Sequence, residues 1–171
     1  MKIFPSCEVK MLSECLPGQL VRMLRSGLAH FYCIVCSTPM DGKVGIVWID
    51  GNTAKFDMYD EADTEAVLAY DGDLIWEVNQ DGPFEPPVKQ IFEMSGCLVV
   101  AKGAKYLNVT RSEQTPRTKL QLNLDDGSVG QYQERLRDAA IFGSWKLFLE
   151  DADRPIENRA LITEFCVKAG D

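Results

Sequence analysis

The chain has 171 residues and a net charge of −8, and 46% of its residues are hydrophobic. This composition is typical of a globular protein and excludes a disordered chain, a collagen-like chain and a long coiled coil. The length suffices for a core that needs neither disulfides nor a metal ion, in one domain or two small ones.

The first segment and the cysteines predict where the protein resides. No run approaches about 18 apolar residues, so no membrane-spanning helix is predicted. Pro5, Glu8, Lys10 and Glu14 interrupt the first segment, which indicates that it is not a secretory signal. We therefore expect the six cysteines to be free, partly buried thiols and the protein to be cytoplasmic.

Acidic residues are concentrated in the first half of the chain. Residues 1–88 hold 14 of the 26 acidic side chains but 6 of the 18 basic ones, so they carry a net charge of −8 and residues 89–171 are neutral. Such an excess steers a basic partner and argues against general phosphate binding, which needs clustered cations. A basic protein is therefore expected as a partner in preference to a nucleic acid.

Short β-branched and aromatic segments separated by Asp-Gly pairs predict strands. Asp-Gly favours tight hairpin turns because both central residues of a type I′ turn need positive φ. Leu120, Leu122 and Leu124 alternate with polar residues, so they are predicted to share one face of a strand. The Asp-Gly pairs begin at Asp41, Asp50, Asp71, Asp81 and Asp126, and the predicted strands are residues 31–36, 44–49, 74–78, 120–124, 146–149 and 161–167.

Two segments carry weaker helix signals. Residues 61–70 and 131–140 both have polar or acidic residues first and helix formers after them, as a helix start prefers. The end of the first segment, residues 67–70, also fits a hairpin across Asp71-Gly72 with a strand at 74–76. We predict one short helix in each half and leave the strand alternative open.

Similar short patterns recur in the same order in the two halves. Residues 18–21 resemble residues 96–99, and Asp50-Gly51 lies between two predicted strands as Asp126-Gly127 does. We therefore predict an all-β or β-rich α+β protein of two tandem, similar, small antiparallel units, barrel-like or sandwich-like. The predicted division is a lead-in at 1–17, an acidic unit at 18–94 and a near-neutral unit at 95–171.

Cys33 and Cys36 have a C-x-x-C spacing with His30 upstream, a pattern found in zinc and redox sites. The pair lies in a predicted strand, where residues three apart point to opposite faces, so the two sulfurs would diverge. Cys97 and Cys166 stand apart in the sequence and form no second pair. We predict buried thiols at this segment, and neither a metal ion nor a cofactor.

The densest acidic run is the predicted binding site. It consists of Asp57, Asp60, Glu61, Asp63 and Glu65. A calcium loop would need a glycine at its sixth position and a glutamate at its twelfth, and the run has neither. The remaining interpretations are a solvated helix start and an acidic contact patch for a basic partner.

A locally basic stretch in the second half suits a nucleic acid less well. One aromatic ring, Tyr106, lies within it, although stacking on bases usually uses several rings. We interpret the cations as exposed strand residues that protect sheet edges. They are Lys102, Lys105, Arg111, Arg117 and Lys119.

These observations predict a non-catalytic protein-binding or assembly module with an acidic surface, in an immunity-like, inhibitor-like, accessory or phage structural role. No nucleophile elbow or phosphate-binding loop occurs in the sequence. One alternative is an enzyme or small-ligand binder with a pocket between the two units, for which His30, Cys33, Glu61 and Asp63 would be tested first. The second alternative is a nucleic-acid-binding β module. A homodimer is a further expectation, and no membrane contact is predicted.

Overall fold

Strands form throughout the part of the chain that this computed structural model describes, and the predicted all-β class is confirmed. The described residues are 5–24, 31–37, 43–51, 53–60, 62–79, 94–111, 119–131, 139–150 and 159–166. Their β-branched and aromatic segments suit the pleated backbone. The elements are β1 (Cys7–Met11), a 3₁₀ turn (Leu12–Glu14), β2 (Leu20–Met23), β3 (Tyr32–Cys36), β4 (Val44–Ile49), β5 (Ala54–Tyr59), β6 (Ala66–Tyr70), β7 (Asp73–Val78), β8 (Leu98–Ala101), β9 (Ala104–Arg111), β10 (Lys119–Asn123), β11 (Val129–Gln131), β12 (Ala140–Phe142), β13 (Ser144–Glu150) and β14 (Ala160–Cys166).

Eleven of the described strands form one large sheet. Its main order is β1-β6-β2-β3-β4-β5-β9-β10-β11. Thr110 of β9 pairs with Lys119 of β10 and with Lys55 of β5, so β10 and β5 lie on opposite sides of β9. The β5–β9 pair is parallel and joins strands from the two halves of the chain. β8 also pairs with β9 and carries β12 as its other neighbour.

Three strands form a second, smaller sheet in the order β14-β13-β7. Both pairs are antiparallel, and the β13–β14 register shifts between Leu147 and Phe148. Trp145, Leu147 and Leu149 alternate along β13 and are buried, so they face the interior. Lys146 lies between them in sequence and is exposed on the outer face.

The main hydrophobic core joins the two sheets. The three inward side chains of β13 pack in one cluster with apolar side chains of the large sheet. Burial of this cluster is the main favourable term that holds the sheets together. From the large sheet it includes Leu20, Ile34, Val47, Phe56, Leu107 and Leu122.

A second, smaller core lies on the opposite face of the large sheet. β3 contributes to both cores, because Cys36 belongs to the main core whereas Cys33 and Val35 belong to the second. The 3₁₀ turn adds Leu12, which is fully buried in the second core. A strand that is covered on both faces needs apolar residues at successive positions, which explains why the sequence of β3 is a continuous apolar run.

Two of the five Asp-Gly pairs lie in hairpin connections, as predicted, but neither turn is of the predicted type I′, because Asp50 and Asp126 do not have a positive φ. Asp50-Gly51 joins β4 to β5, and Asp126-Gly127 joins β10 to β11. Both glycines have a positive φ, of 82° and 70°. Asp71-Gly72 instead joins β6 in the large sheet to β7 in the small one. The alternative of two strands across this pair is therefore right about the strands and wrong about their pairing as a hairpin. The pairs at Asp41 and Asp81 lie outside the described residues.

The helix predicted over residues 61–70 is wrong for its second part, because Ala66–Tyr70 forms β6. Val67 and Ala69 are fully buried between neighbouring strands, and this pairing overrides a weak local preference for helix. The other segment, 131–140, begins in β11 and ends in β12, and residues 132–138 lie outside the described residues.

The two halves of the chain repeat one pattern of strand pairing. In the first half, β2 pairs with both β3 and β6, β3 pairs with β4, and β4 pairs with β5. In the second half, β8 pairs with both β9 and β12, β9 pairs with β10, and β10 pairs with β11. Gly18 N donates to Val35 O, and Gly96 N donates to Asn108 O in the same position of the pattern. The β5–β9 and β7–β13 pairs cross the predicted boundary at residue 95. The duplication and the two units stay predictions.

Candidate functional site

The predicted acidic residues lie along β5 and the turn that follows it. Asp57 is half-buried, and Asp60 and Asp63 are exposed. Glu65 is buried, with 7% of its surface exposed. Glu61 lies outside the described residues. The run therefore presents Asp60 and Asp63 to solvent and places Glu65 inside.

Two of these acids have identified partners. Asp60 Oδ1 lies 2.6 Å from Lys43 Nζ. Asp57 Oδ1 accepts a hydrogen bond of 2.9 Å from Met58 N. Within the described ranges, no three histidine, cysteine or acidic side chains are grouped so that they could hold a metal ion. The described acids are thus spread over a strand, a turn and the interior.

Two backbone hydrogen bonds join the acidic turn to the segment after β1. Leu12 N donates to Glu65 O over 2.8 Å, and Ser13 N donates to Ala62 O over 3.2 Å. Both donors belong to the 3₁₀ turn that directly follows β1. Asp63, between the two acceptors in sequence, therefore lies next to the end of β1.

β1 forms one end of the large sheet and has an exposed apolar face. It pairs with β6 on one side, and no strand in the described part of the chain pairs with its other side. Val9 is 65% exposed and Met11 is 40% exposed. Leu24, directly after β2, is 43% exposed. An apolar edge strand with unpaired backbone groups is a template for another chain.

Sequence reasoning assigned residues 1–17 to a lead-in and missed this strand. The signal was present, because Cys7, Val9 and Met11 alternate with Glu8 and Lys10 at the two-residue period of a strand. No Asp-Gly turn flanks the segment, and its partner strand β6 comes almost sixty residues later. The turn signals near β1 in the sequence therefore could not indicate which strand it pairs with.

Buried thiols occupy the C-x-x-C segment, as predicted. Cys33 lies in the second core and Cys36 in the main core, so their side chains point to opposite faces of β3. Burial raises the pKa of Cys33 well above its ordinary value and the pKa of Cys36 to about 12. Such thiols stay protonated near neutral pH and are poor nucleophiles. His30 lies outside the described residues.

A pocket of about 860 Å³ opens at one end of the small sheet. This volume is within the range of small-molecule sites. Its lining includes Gly51 and Asn79 from the first half of the chain and Ser144 and Cys166 from the second. Asp63 and Cys33, which the ligand-binding alternative singled out, do not line it.

Two carboxylates of the pocket are paired with cations. Lys146 lies opposite both Glu77 and Glu164 in the strand register, and its Nζ is 3.0 Å from Glu164 Oε1. Glu77 pairs with the guanidinium of Arg159, which also lies 4.0 Å above the ring centroid of Phe148. The wall therefore presents compensated charges to a ligand.

Lys105, in the basic stretch of the second half, does not lie on a sheet edge. Lys105 pairs with Val100 of β8 on one side, and its carbonyl accepts from Leu124 N on the other. The interpretation of Lys105 as an edge-protecting residue is therefore wrong. Its Nζ lies 3.4 Å from Asp125 Oδ1, and Arg117 is outside the described residues.

Comparison of the chain with protein-family models, curated proteins and solved structures found no match. Among the described residues, no helix has the length and apolar character needed to cross a membrane. Function is therefore argued from the edge strand, the acidic turn and the pocket.

Proposed function

We propose that this chain is a non-catalytic protein-binding or assembly module, and that β1 and the adjacent acidic turn form its contact surface. The observation that carries the proposal is the apolar row Cys7, Val9 and Met11 on an edge strand. Natural sheet edges are commonly covered or made unsuitable for pairing. Val9, at the middle of β1, is instead 65% exposed.

The backbone of β1 offers hydrogen-bonding groups on its free side. Asp71 N donates to Ser6 O, and Leu12 N donates to Glu65 O. In an antiparallel pair the bonded positions alternate, so the even-numbered residues of β1 face β6. The N–H and C=O groups of Cys7, Val9 and Met11 then point away from the sheet. Both groups of Met11 already bond within the chain, to Glu14 Oε2 and Cys15 Sγ, so an incoming strand would bond mainly at Cys7 and Val9.

Charge supports a basic partner. The exposed carboxylates of Asp63 and of Asp60, which is paired with Lys43, belong to the turn that contacts the end of β1. Residues 1–88 carry the whole net charge of −8. Charges at the rim of an interface set the association rate and the choice of partner more than the affinity. An immunity-like or inhibitor-like role against a basic protein fits this surface.

Cysteine chemistry supports a non-catalytic role and a cytoplasmic location. Cys33, Cys36 and Cys97 are buried, and burial raises the pKa of each thiol. All six cysteines are free thiols, as is typical of a reducing compartment. The repeated strand pairing supports a duplicated scaffold in which the predicted first unit carries the acidic turn and the segment before it supplies β1.

A defined peptide tests the contact surface. We expect a fluorescent peptide of alternating lysine and valine to bind, with an affinity that falls as salt rises. Val9→Lys should weaken this binding about tenfold or more, because it places a cation on the apolar row. Val100→Lys is the matched control, since Val100 is 37% exposed on a strand with neighbours on both sides.

The acidic turn is tested in the same assay. Asp60→Asn with Asp63→Asn should slow association, whereas Asp73→Asn with Asp125→Asn removes two exposed carboxylates elsewhere and should matter less. Equal peptide binding by the wild type, Val9→Lys and Val100→Lys would contradict the proposal.

Small-ligand binding is a second candidate, favoured by the pocket that strands of both halves line. Its wall combines Lys146 and two carboxylates with the edges of the apolar side chains Val78 and Phe165. A small zwitterion with an apolar group matches this chemistry. A thermal-shift series of amino acids, repeated with Lys146→Met, tests it: no shift with any of them contradicts this candidate.

A further inference from the structure

We infer that β1 also binds a second copy of this chain, and that in this pairing the two β1 strands run antiparallel about a twofold axis at Val9. This inference rests on the proposed function, which makes β1 the contact surface. The result would be a twofold dimer in which the two large sheets become continuous.

The sequence of β1 is complementary to itself in this register. Within one chain Lys10 already forms an ion pair with Glu8. Pairing centred on Val9 places Glu8 opposite Lys10 of the second copy, and Lys10 opposite its Glu8, so that four side chains of alternating charge gather on one face. On the other face Val9 meets Val9, and Cys7 meets Met11 of the second copy. All five residues of the strand are used.

Charge excludes the neighbouring registers. The N–H and C=O groups of Cys7, Val9 and Met11 face the free edge, so hydrogen-bonded pairs can form only among these three residues. A shift in one direction centres the pairing on Glu8 and sets two carboxylates opposite each other. The opposite shift centres it on Lys10 and sets two ammonium groups opposite each other. Like charges directly opposite in a sheet are destabilising.

The backbone can make the central bonds of this register and part of those at its ends. The two Val9 residues exchange two N–H···O bonds, as a hydrogen-bonded antiparallel pair does. Met11 N donates to Glu14 Oε2 over 3.0 Å, and Met11 O accepts from Cys15 Sγ over 3.6 Å. At each end Cys7 N–H of one copy would therefore be a second donor to Met11 O of the other, and Met11 N–H would keep its bond within the chain.

Exposed apolar surface adds to the pairing. The register of β1, β6 and β2 places Val9, Leu68 and Arg22 in one row, with Leu24 directly after β2 on the next row. Val9, Met11 and Leu24 are 65%, 40% and 43% exposed in the single chain. A second copy would cover part of this surface, and we expect a Kd on the order of 10 µM because the paired edge is small for an interface.

Charge reversal tests the pairing, with the mass of the full chain followed by sedimentation as concentration rises. Glu8→Lys and Lys10→Glu should each be monomeric, because each sets like charges opposite one another. Mixing these two variants should give a heterodimer, and the double variant with both changes should dimerise again. Both substituted positions lie on the edge strand β1, and circular dichroism checks that each variant is folded.

Disulfide trapping gives a second measurement. In a Cys166→Ser background, Met11→Cys should form a disulfide-linked dimer through Cys7 of the other copy, whereas the background itself should not, because its two Cys7 residues are four positions out of register. Val100→Cys in the same background is the matched control for random collision.

The outcomes separate this inference from the proposed function. Monomeric wild type that still binds the lysine–valine peptide through Val9 would overturn the self-pairing and leave the proposed function standing. Monomeric wild type that binds no peptide would overturn both. Dimerisation that survives both single charge reversals would place the interface elsewhere and overturn the inference.

Discussion

Gly96 lies directly against the ring of Phe165. A Cβ atom at residue 96 would overlap the ring, and the carbonyl of Gly96 accepts a hydrogen bond of 2.7 Å from Trp145 Nε1. Trp145 and Phe165 are stacked, with ring centroids 5.0 Å apart. The start of β8 in the large sheet is thereby fixed to β13 and β14 of the small sheet.

Gly96→Ala should be strongly destabilising. The change adds a Cβ at a φ of +90° and forces Phe165 to move. We expect a loss of about 3 to 5 kcal/mol in the free energy of unfolding, measured by urea denaturation. Gly103→Ala is the control, because Gly103 has a φ of +84° but open space around it, and should lose about 1 kcal/mol. Equal losses would show that the contact with Phe165 contributes nothing.

Trp145→Phe should destabilise the protein through the loss of one hydrogen bond. The change leaves the Gly96 carbonyl without its donor inside the core and leaves a small cavity. We expect a loss of about 2 to 3 kcal/mol, again by denaturation. Trp48→Phe, at a half-buried tryptophan, is the comparison and should lose less. The opposite ranking would contradict this account.

The six thiols should fall into separate reactivity classes. Cys7 and Cys166 are exposed and should react quickly with a thiol reagent in the folded protein. The other four, Cys15, Cys33, Cys36 and Cys97, are buried and should react only as fast as the protein opens. Mass spectrometry of the labelled protein assigns each site. Fast labelling of Cys33 or Cys36 in the folded state would contradict their burial in the two cores.

Stability should fall as the pH rises above 9. Burial raises the pKa of Cys97 from its ordinary value of 9.0 to about 12. Between these values the thiol loses its proton in the unfolded chain but keeps it in the folded chain. Deprotonation therefore lowers the free energy of the unfolded state, and the free energy of unfolding falls. Replacement of the thiol in Cys97→Ala should reduce this loss by about 1 kcal/mol per pH unit in that window. Identical slopes for the wild type and Cys97→Ala would contradict the prediction.

The local sequence pattern was sufficient to predict the strands that are bounded by tight turns or in which apolar and polar residues alternate. Val44–Ile49 was predicted with its observed bounds, and the segment of Leu120, Leu122 and Leu124 packs on the main core as its alternation indicates. The opposite face of that strand was not predicted, because Gln121 is buried and donates to Asn108 Oδ1. A polar side chain can alternate with leucines and still lie inside when a neighbouring strand supplies its partner.

Sequence reasoning failed where a strand finds its partner far along the chain. Residues 66–70 carry alanine and leucine, which suit a helix, and became a strand because β1 and β2 pair on either side. The candidate site was also predicted only in part, for the same reason. Asp60 and Asp63 were identified as exposed acids, but β1 beside them was missed because only long-range pairing places it at the sheet edge.

The small sheet has a consequence for synthesis of the chain. Val78 of β7 pairs with Trp145 of β13, and β14 follows later still. A nascent chain that ends near residue 100 contains Leu20, Ile34 and Val47 but lacks β13 and β14, two of the three strands of the small sheet. Such long-range closure slows folding, and truncated or stalled products expose the sheet face that the complete protein hides. Those fragments are therefore the forms of this protein most prone to aggregate.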